Sequence, residues 1–321
     1  MRSPLAGLQR LAWTASASLF LLLALGAVVT GTGSGLGCGD HWPSCNGQLI
    51  PDLSRPSVVI EFTHRLVAAV VSLLVLWTAI WAWRLRRTLS ERTMLRSLGA
   101  GAVLVLLAQV ALGAITVKQD LPPEVVMIHL ATGMALFAIL VTMAVLLSSR
   151  SAADDFSTRR SLKSLHGAAL FATLVTYLQI VLGAYVRHSG AALVCPDFPL
   201  CQGALVPTLS GLTLIQFAHR LGALLVVLLV IWMAVQAWRL KGAQHASPLR
   251  MTATAIVLVL LQIAWGALTV LSGLHVLWAT LHLATAAALL GILLGVTVLT
   301  REAPNVAISA RSAPSSQGVI A

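Results

Sequence analysis

The segment EFTHRLVAAVVSLLVLWTAIWAW (61–83) has the features of a helix that crosses a membrane, since a short polar start is followed by a long apolar run. The segment QFAHRLGALLVVLLVIWMAVQAW (216–238) repeats it, with a His–Arg pair at the same place. A membrane-spanning helix needs about 20 mostly apolar residues, and both segments reach that length. The fold is therefore expected to be built from a repeated membrane helix.

Apolar runs of this kind recur along the whole chain. Eight are found, near 13–31, 60–83, 100–118, 125–147, 165–187, 213–238, 251–271 and 275–299. Backbone polar groups in lipid must be hydrogen-bonded within the chain, so runs of this length form helices. The alternating pattern of an outer-membrane barrel is absent. These features predict an all-α integral membrane protein with eight transmembrane helices.

The composition excludes several classes of protein. Of the 321 residues, 58% are hydrophobic and only 10% are charged, and the mean hydropathy is +0.90. Soluble domains carry about 25% charged residues, so an ordinary globular enzyme, a disordered chain and a nucleic-acid binder are ruled out. The formal net charge of +11 is instead explained by where the basic residues lie.

The Lys and Arg residues indicate the orientation of the helices, because cytoplasmic loops are enriched in them. Most of the 21 Lys and Arg residues lie on one side, whereas the opposite loops hold only Arg55, Lys118 and Arg187. Both termini are therefore predicted to be cytoplasmic, with the cysteine-containing loops outside. A cleaved signal peptide is not expected, because the fifth span repeats the first. The lack of an Arg- and Ser-rich transit segment favours a bacterial plasma membrane.

The chain consists of two copies of one unit. Four pairs of segments match: LGAVVTGTGSGLGC (25–38) with LGAYVRHSGAALVC (182–195), EFTHRL (61–66) with QFAHRL (216–221), QVALGAITV (109–117) with QIAWGALTV (262–270), and IHLATG (128–133) with LHLATA (281–286). Each copy holds an even number of helices, so we expect a pseudo-twofold axis along the membrane normal. The predicted units are two tandem four-helix bundles, 1–150 and 151–301, followed by a polar tail, 302–321, that is expected to be disordered.

One histidine recurs in the outer third of every even-numbered span: His64, His129, His219 and His282. Two imidazoles that face each other across a four-helix bundle offer two axial nitrogens to a haem iron, so paired haem ligation is predicted. The alternative is a histidine that is hydrogen-bonded within the helix packing. Zinc is disfavoured because two histidines leave a tetrahedral site short of ligands, and covalent haem because no C-x-x-C-H motif occurs.

Arg65 and Arg220 each follow one of these histidines directly. A guanidinium within a membrane helix is costly, and it pairs well with carboxylates such as the two propionates of a haem. The alternative is that the two side chains extend to the lipid headgroups. Both interpretations stay open.

All four cysteines lie in the outer loops, in CGDHWPSC (38–45) and CPDFPLC (195–201). Their short spacing, their matching positions and an oxidising outer compartment predict two local disulfides, Cys38–Cys45 and Cys195–Cys201. Each is expected to be a structural staple. A redox-active first pair is the main alternative, and a four-cysteine metal site is disfavoured.

The two copies differ beside the first histidine of each pair. Glu61 precedes His64 by three residues and lies on the same helix face, whereas the matching residue before His219 is Gln216. A carboxylate can accept a proton or stabilise positive charge, which an amide cannot do near neutral pH. The N-terminal half is therefore predicted to carry out chemistry and the C-terminal half to hold a permanent cofactor. The alternative is that Glu61 is a solvated or capping residue at a helix start, where Ser57 also lies.

These residues together resemble the haem A synthase family. The resemblance covers 13–299 and rests on the eight-helix duplication, on EFTHR and QFAHR, on the two later histidines, and on both cysteine loops, including TGSGLGCGDHWPSCNGQLIP (32–51). It implies an enzyme that oxidises a ring methyl group of haem O to a formyl group by successive hydroxylations. The product, haem A, serves terminal oxidases.

The resemblance also implies roles for the candidate residues. His219 and His282 would ligate a b-type haem cofactor, His64 and His129 would ligate or position the haem O substrate, and Glu61 would act at the reacting side. The first cysteine pair would be linked to activity. Haem O synthase, terminal-oxidase assembly factors, membrane lipid and an electron acceptor of unknown identity are the partners expected of such an enzyme.

Two other functions fit parts of the sequence. A bis-histidine dihaem cytochrome that exchanges electrons with quinone would use the same histidines without needing Glu61. A transporter would use two parallel halves around a midplane cavity, but haem-ligating histidines argue against it.

Overall fold

The computed structural model describes residues 4–85, 89–148, 156–240 and 246–301. Within these ranges the chain is helical and has no β-strand apart from isolated bridges in loops. The long helices are α1 (Pro4–Gly31), α2 (Pro56–Arg84), α3 (Leu89–Lys118), α4 (Pro123–Ser148), α5 (Phe156–His188), α6 (Gly211–Trp238), α7 (Ala246–Leu271) and α8 (Val276–Leu299), and a short 3-10 helix covers Ala191–Leu193. All eight long helices are long and apolar enough to cross a membrane.

The predicted all-α architecture with eight membrane-crossing helices is confirmed, but several helices are longer than the apolar runs. The helices α1, α3 and α5 begin at Pro4, Leu89 and Phe156, well before the apolar runs near 13, 100 and 165. Hydropathy marks the part of a helix that suits lipid, whereas backbone hydrogen bonds can continue the helix through polar residues. The apolar runs therefore located the helices and missed the polar residues with which α1, α3 and α5 begin.

Each half of the chain closes a ring of four helices. In the first half, α1 packs on α2, α2 on α3, α3 on α4 and α4 on α1, and the same cycle links α5, α6, α7 and α8. The rings meet where α1 packs on α8 and where α4 packs on α5 and α8. In this order, α2 lies diagonally across its ring from α4, and α6 lies diagonally across from α8.

An apolar core joins the two rings. It includes Phe137 and Leu140 of α4 together with Ala287 and Leu290 of α8, all of them buried. Many large apolar side chains elsewhere on the helices are exposed, Trp238 for example at 86%. A surface of this kind suits lipid rather than water.

Several sequence-based expectations stay predictions at this level. They include the orientation of the termini, the pseudo-twofold axis, and the functional division into 1–150 and 151–301. The predicted tail 302–321 lies outside the described residues, and so does the boundary near residue 150.

Candidate haem-binding site

His64 and His129 lie on the two helices that face each other across the first ring. Each is about two turns from the N-terminal start of its helix, α2 and α4 respectively. Their imidazoles are close enough for their charges to interact. The first half therefore brings together two ring nitrogens that are far apart in sequence.

His219 and His282 occupy the same places in the second ring. They lie about two turns into α6 and α8, and their imidazoles are again within electrostatic reach of each other. The structure thus brings the histidines together as two pairs, one in each half. Their role as iron ligands stays a prediction.

Each imidazole lies against a glycine of the preceding helix. A methyl group added at Gly26 would lie 3.5 Å from Cε1 of His64, and one at Gly113 would lie 3.2 Å from Cε1 of His129. In the second half, the corresponding distances are 2.8 Å from Gly183 to His219 and 2.9 Å from Gly266 to His282. The helices α3, α5 and α7 therefore make room for a histidine by omitting a side chain, whereas the contact at Gly26 of α1 is not tight.

Glu61 is buried under the first cysteine loop. Its side chain is 3% exposed, although it is a carboxylate in the first turns of α2. Oε1 forms an ion pair with Nη2 of Arg65 at 2.5 Å, and Oε2 accepts a hydrogen bond of 2.7 Å from the backbone N–H of Cys38. Glu61 is therefore not a solvated residue, and the helix N-cap is Arg55, which makes no side-chain capping bond.

Gln216 occupies the matching place in the second half and makes different contacts. It is equally buried, at 3% exposure, but its Nε2 donates to the backbone oxygen of Ala192 at 3.4 Å. Its Oε1 has no hydrogen-bond partner among the described residues. The carboxylate of Glu61 thus accepts a hydrogen bond from its loop, whereas the amide of Gln216 donates one to its loop.

The two arginines beside the histidines hold the two cysteine-containing loops. Arg65 donates to the backbone oxygens of His41 and Ser44 at 2.7 and 2.8 Å. Arg220 donates to four backbone oxygens of the second loop, those of Cys195, Asp197, Pro199 and Leu200. Their predicted contact with haem propionates stays a prediction, whereas their contact with the loops explains why a guanidinium is placed in each helix start.

Each cysteine-containing loop is closed by a disulfide. The structure bonds Cys38 to Cys45 with a Sγ–Sγ distance of 1.95 Å, and Cys195 to Cys201 at 1.93 Å. All four cysteines are buried. Since Glu61 accepts a hydrogen bond from Cys38 itself, the first disulfide loop and the acid form one unit.

The second loop is braced internally by a carboxylate. Asp197 accepts hydrogen bonds from the backbone N–H groups of Gly203 and Gln202, at 2.8 and 2.7 Å. These bonds, with that from Gly203 the strongest influence, hold the pKa of Asp197 below its ordinary value. The matching residue, Asp40, is exposed and has His41 as its ionic neighbour. The first loop is braced instead by hydrogen bonds from its Asn46.

The described residues contain no cluster of three or more His, Cys, Asp or Glu side chains that could hold a metal ion. The histidines instead occur as pairs, which is the number of protein ligands that a six-coordinate haem iron accepts.

The chain matches the sequence family described as "COX15-CtaA: Cytochrome oxidase assembly protein" over residues 9–294. This chain belongs to the COX15-CtaA family. The match spans all eight helices, both histidine pairs and both cysteine loops.

Similar curated proteins in the COX15-CtaA family carry one name. The chain is 37% identical over 273 residues to the "Heme A synthase" of Shouchella clausii, covering 83% of this chain and 87% of the relative. It is 37% identical over 271 residues to the protein of that name from Symbiobacterium thermophilum, with coverage of 83% and 87%. For the one from Geobacillus kaustophilus, the identity is 34% over 309 residues, with coverage of 92% and 94%.

Three glutamines around the histidines of this COX15-CtaA chain were missed by the sequence analysis. Nε2 of Gln109 lies 3.2 Å from Nε2 of His129, and Nε2 of Gln262 lies 3.3 Å from Nε2 of His282. Nε2 of Gln179 lies 2.9 Å from Nδ1 of His219.

A repeated sequence signal could have identified these glutamines. Each precedes a histidine-facing glycine by four residues, so that glutamine and glycine lie on one helix face. The pattern Q-x-x-x-G occurs at Gln109–Gly113, Gln179–Gly183 and Gln262–Gly266, and the fourth copy reads Leu22–Gly26.

Replacing Gly183 with alanine is expected to disturb the second histidine pair. The added methyl group would lie 2.8 Å from Cε1 of His219, so the imidazole must move, whereas Gly26→Ala leaves an ordinary 3.5 Å contact with His64. Alanine is also the better helix former by about 1 kcal/mol, so a loss of helix stability would not explain the difference. The measurement is the absorption spectrum of haem bound to the purified variants. An unchanged Gly183→Ala spectrum, or equal damage from Gly26→Ala, would contradict this account of the glycines.

Proposed function

We propose that this chain is a haem A synthase, an enzyme of the bacterial plasma membrane that oxidises a ring methyl group of haem O to a formyl group. The observation that carries the proposal is a pair of histidines opposed across each four-helix ring, with a buried carboxylate beside only one pair. Membership of the COX15-CtaA family and the name of the similar proteins support it.

The residues of the second half fit a haem b with two axial histidines. His219 and His282 supply imidazole nitrogens from the diagonally opposed helices α6 and α8. Gly183 and Gly266 allow α5 and α7 to approach the two imidazoles closely. A haem bound there supplies reversible one-electron chemistry. His219 and His282 hold it in place, and Nδ1 of His282 lies 3.1 Å from the backbone oxygen of Gln262, which orients that ring.

The first half fits a flat substrate that enters and leaves. His64 and His129 position haem O between α2 and α4. The Nδ1 atom of His64 is buried and has no hydrogen-bond partner among the described residues, and a weakly restrained imidazole suits a ligand that must be exchanged at every turnover.

Glu61 is proposed as the catalytic acid–base group of the first half. With water as the oxygen donor, each hydroxylation of the methyl group releases two electrons to the acceptor and two protons, and the resulting gem-diol loses water to give the formyl group. A carboxylate one turn from His64 on the same helix face can accept a proton or stabilise positive charge at the reacting ring edge. Its bond to the Cys38 N–H explains how the first disulfide loop contributes to activity, by holding the acid in place.

The wider setting follows from this activity. Haem O comes from a haem O synthase, and the product passes to the assembly of a terminal oxidase. The electrons leave toward an acceptor reached through the second half. The cysteine loops face the outside of the cell and both termini face the cytoplasm, as the distribution of basic residues predicts.

Co-expression of the chain with a source of haem O tests the proposal. Extracted pigments are expected to contain haem A and its hydroxylated precursor, identified by their mass and by their pyridine haemochrome spectra. Unchanged haem O beside functional bound haem would indicate an electron-transfer cytochrome instead. A protein with no bound haem would favour transport and overturn both haem-based proposals.

A further inference from the structure

The four imidazoles differ in how they are restrained. Nδ1 of His219 lies 2.9 Å from Gln179, and Nδ1 of His282 lies 3.1 Å from the Gln262 carbonyl. In the first half, Nδ1 of His64 is buried and has no partner among the described residues. The first-half histidine equivalent to His219 therefore lacks the hydrogen bond that Gln179 provides.

Gln179 contacts His219 at two atoms and packs closely against Gly222. Its Nε2 also donates a 2.7 Å hydrogen bond to the backbone oxygen of His219, so the amide contacts both the imidazole and the main chain of His219. A methyl group at Gly222, one turn along α6, would collide with Oε1 of Gln179. Gly222 is thus the residue that makes room for this glutamine.

The first half has other residues at the positions of both Gln179 and Gly222. The aligned repeats put Leu22 where Gln179 stands and Val67 where Gly222 stands. Leu22 and Val67 both pack against the apolar core that joins the two rings. Neither can hydrogen-bond through its side chain, and His64 consequently has an unpartnered Nδ1.

We infer that Gln179, seated on Gly222, is a positioning residue that makes the second half retain its haem, and that Leu22 and Val67 make the first half release its own. The inference rests on the proposed function. A hydrogen bond to the second nitrogen of a metal-bound imidazole fixes its orientation and strengthens it as a ligand, and its loss costs about 10–100-fold in metal affinity. Ligation through Nε2 leaves the proton of the imidazole on Nδ1. Gln179 then turns its amide to accept that proton through Oε1, exchanging its bond to the His219 backbone oxygen for one to the ring.

Haem transfer from the purified full-length protein to excess apomyoglobin tests the role of Gln179. In a His64→Ala background, which leaves only the second site, Gln179→Leu is expected to speed haem release about tenfold or more. The electron paramagnetic resonance signal of the low-spin ferric haem should shift as well. Gln179→Glu, which keeps a hydrogen-bond acceptor, should restore slow release.

A buried glutamine in the same half of the chain provides the matched control. Gln236 of α6 is 7% exposed and accepts a 2.9 Å hydrogen bond from Ser164, away from the histidines. Gln236→Leu should leave haem release unchanged. Wild-type release and an unshifted signal in Gln179→Leu would overturn the inference, as would equal effects of the two substitutions.

The reciprocal exchange keeps the inference testable if Gln179→Leu does not fold. In a His219→Ala background loaded with haemin, the double variant Leu22→Gln/Val67→Gly should slow release from the first site about tenfold. Release at the wild-type rate would overturn the inference. The proposed function fails separately, since a chain that converts no haem O to haem A could still show both changes in release.

Discussion

Replacing Glu61 with glutamine is expected to lower the yield of haem A by about 100-fold or more, the usual contribution of a general acid–base group. Glutamine has nearly the same shape and can still accept the hydrogen bond from the Cys38 N–H. It cannot take up a proton or form the ion pair with Arg65. The measurement is the haem A content of pigments extracted from cells that also supply haem O.

The second half supplies the control for this substitution. Gln216 shows that an amide is accommodated at the matching buried position, so Glu61→Gln should leave the haem of the second half and the Cys38–Cys45 disulfide intact. Spectra of bound haem and thiol labelling of the unreduced protein check both points. Normal amounts of haem A from Glu61→Gln would show that the division of labour between the halves is wrong.

Replacing either His219 or His282 with alanine is expected to abolish the six-coordinate low-spin spectrum of the bound haem b. Loss of the hydrogen-bond partner of a metal ligand already lowers the affinity for the metal about 10–100-fold. Loss of the ligand itself should lower it further. Each variant also leaves an opposed imidazole without a partner across the ring. Absorption and electron paramagnetic resonance spectra of the purified proteins measure the effect.

The matching substitutions in the first half separate ligation from general damage. His64→Ala and His129→Ala remove an imidazole at the same depth and on the equivalent helix, so any loss of stability should be similar. They should keep the low-spin haem b spectrum and lose haem A formation. If instead these variants lost the spectrum while His219→Ala kept it, the two halves would have been assigned the wrong way round.

Much of the fold was predictable because lipid leaves few choices. Runs of about 20 apolar residues must be helical to satisfy their backbone, and the repeats at EFTHRL and QFAHRL revealed the duplication. The polar starts of α1, α3 and α5 were missed because hydropathy does not show how far a helix continues beyond its apolar residues.

The pairing of histidines was also predictable, since equal depth on alternate helices follows from the repeat. The surroundings of Glu61 were not. Its neighbours Cys38 and Arg65 are respectively 23 positions away in a loop and one turn along the helix. The path of a loop depends on contacts that sequence spacing does not reveal, so the sequence could not distinguish a solvated Glu61 from a buried one.

The hydrogen bonds of the histidines could not be predicted from the sequence for a similar reason. The Q-x-x-x-G pattern was present in three helices, but only the structure shows that Gln179 reaches Nδ1 of His219, while Gln109 and Gln262 approach Nε2 of their histidines. These contacts depend on side-chain rotamers. Those of Gln109 and Gln262 are equivalent in the two halves, whereas that of Gln179 has no counterpart because the first half has Leu22 at the matching position.

The central claim, that each half holds one haem and only the first half holds the substrate, is tested most directly by counting haem types in protein loaded with haem O. The wild type should contain both haem B and haem O or its oxidised products, separated by chromatography of the extracted pigments. His64→Ala should lose only the haem O-derived pigments, and His282→Ala should lose the haem B. Loss of the haem O-derived pigments from His282→Ala with haem B retained would contradict the account.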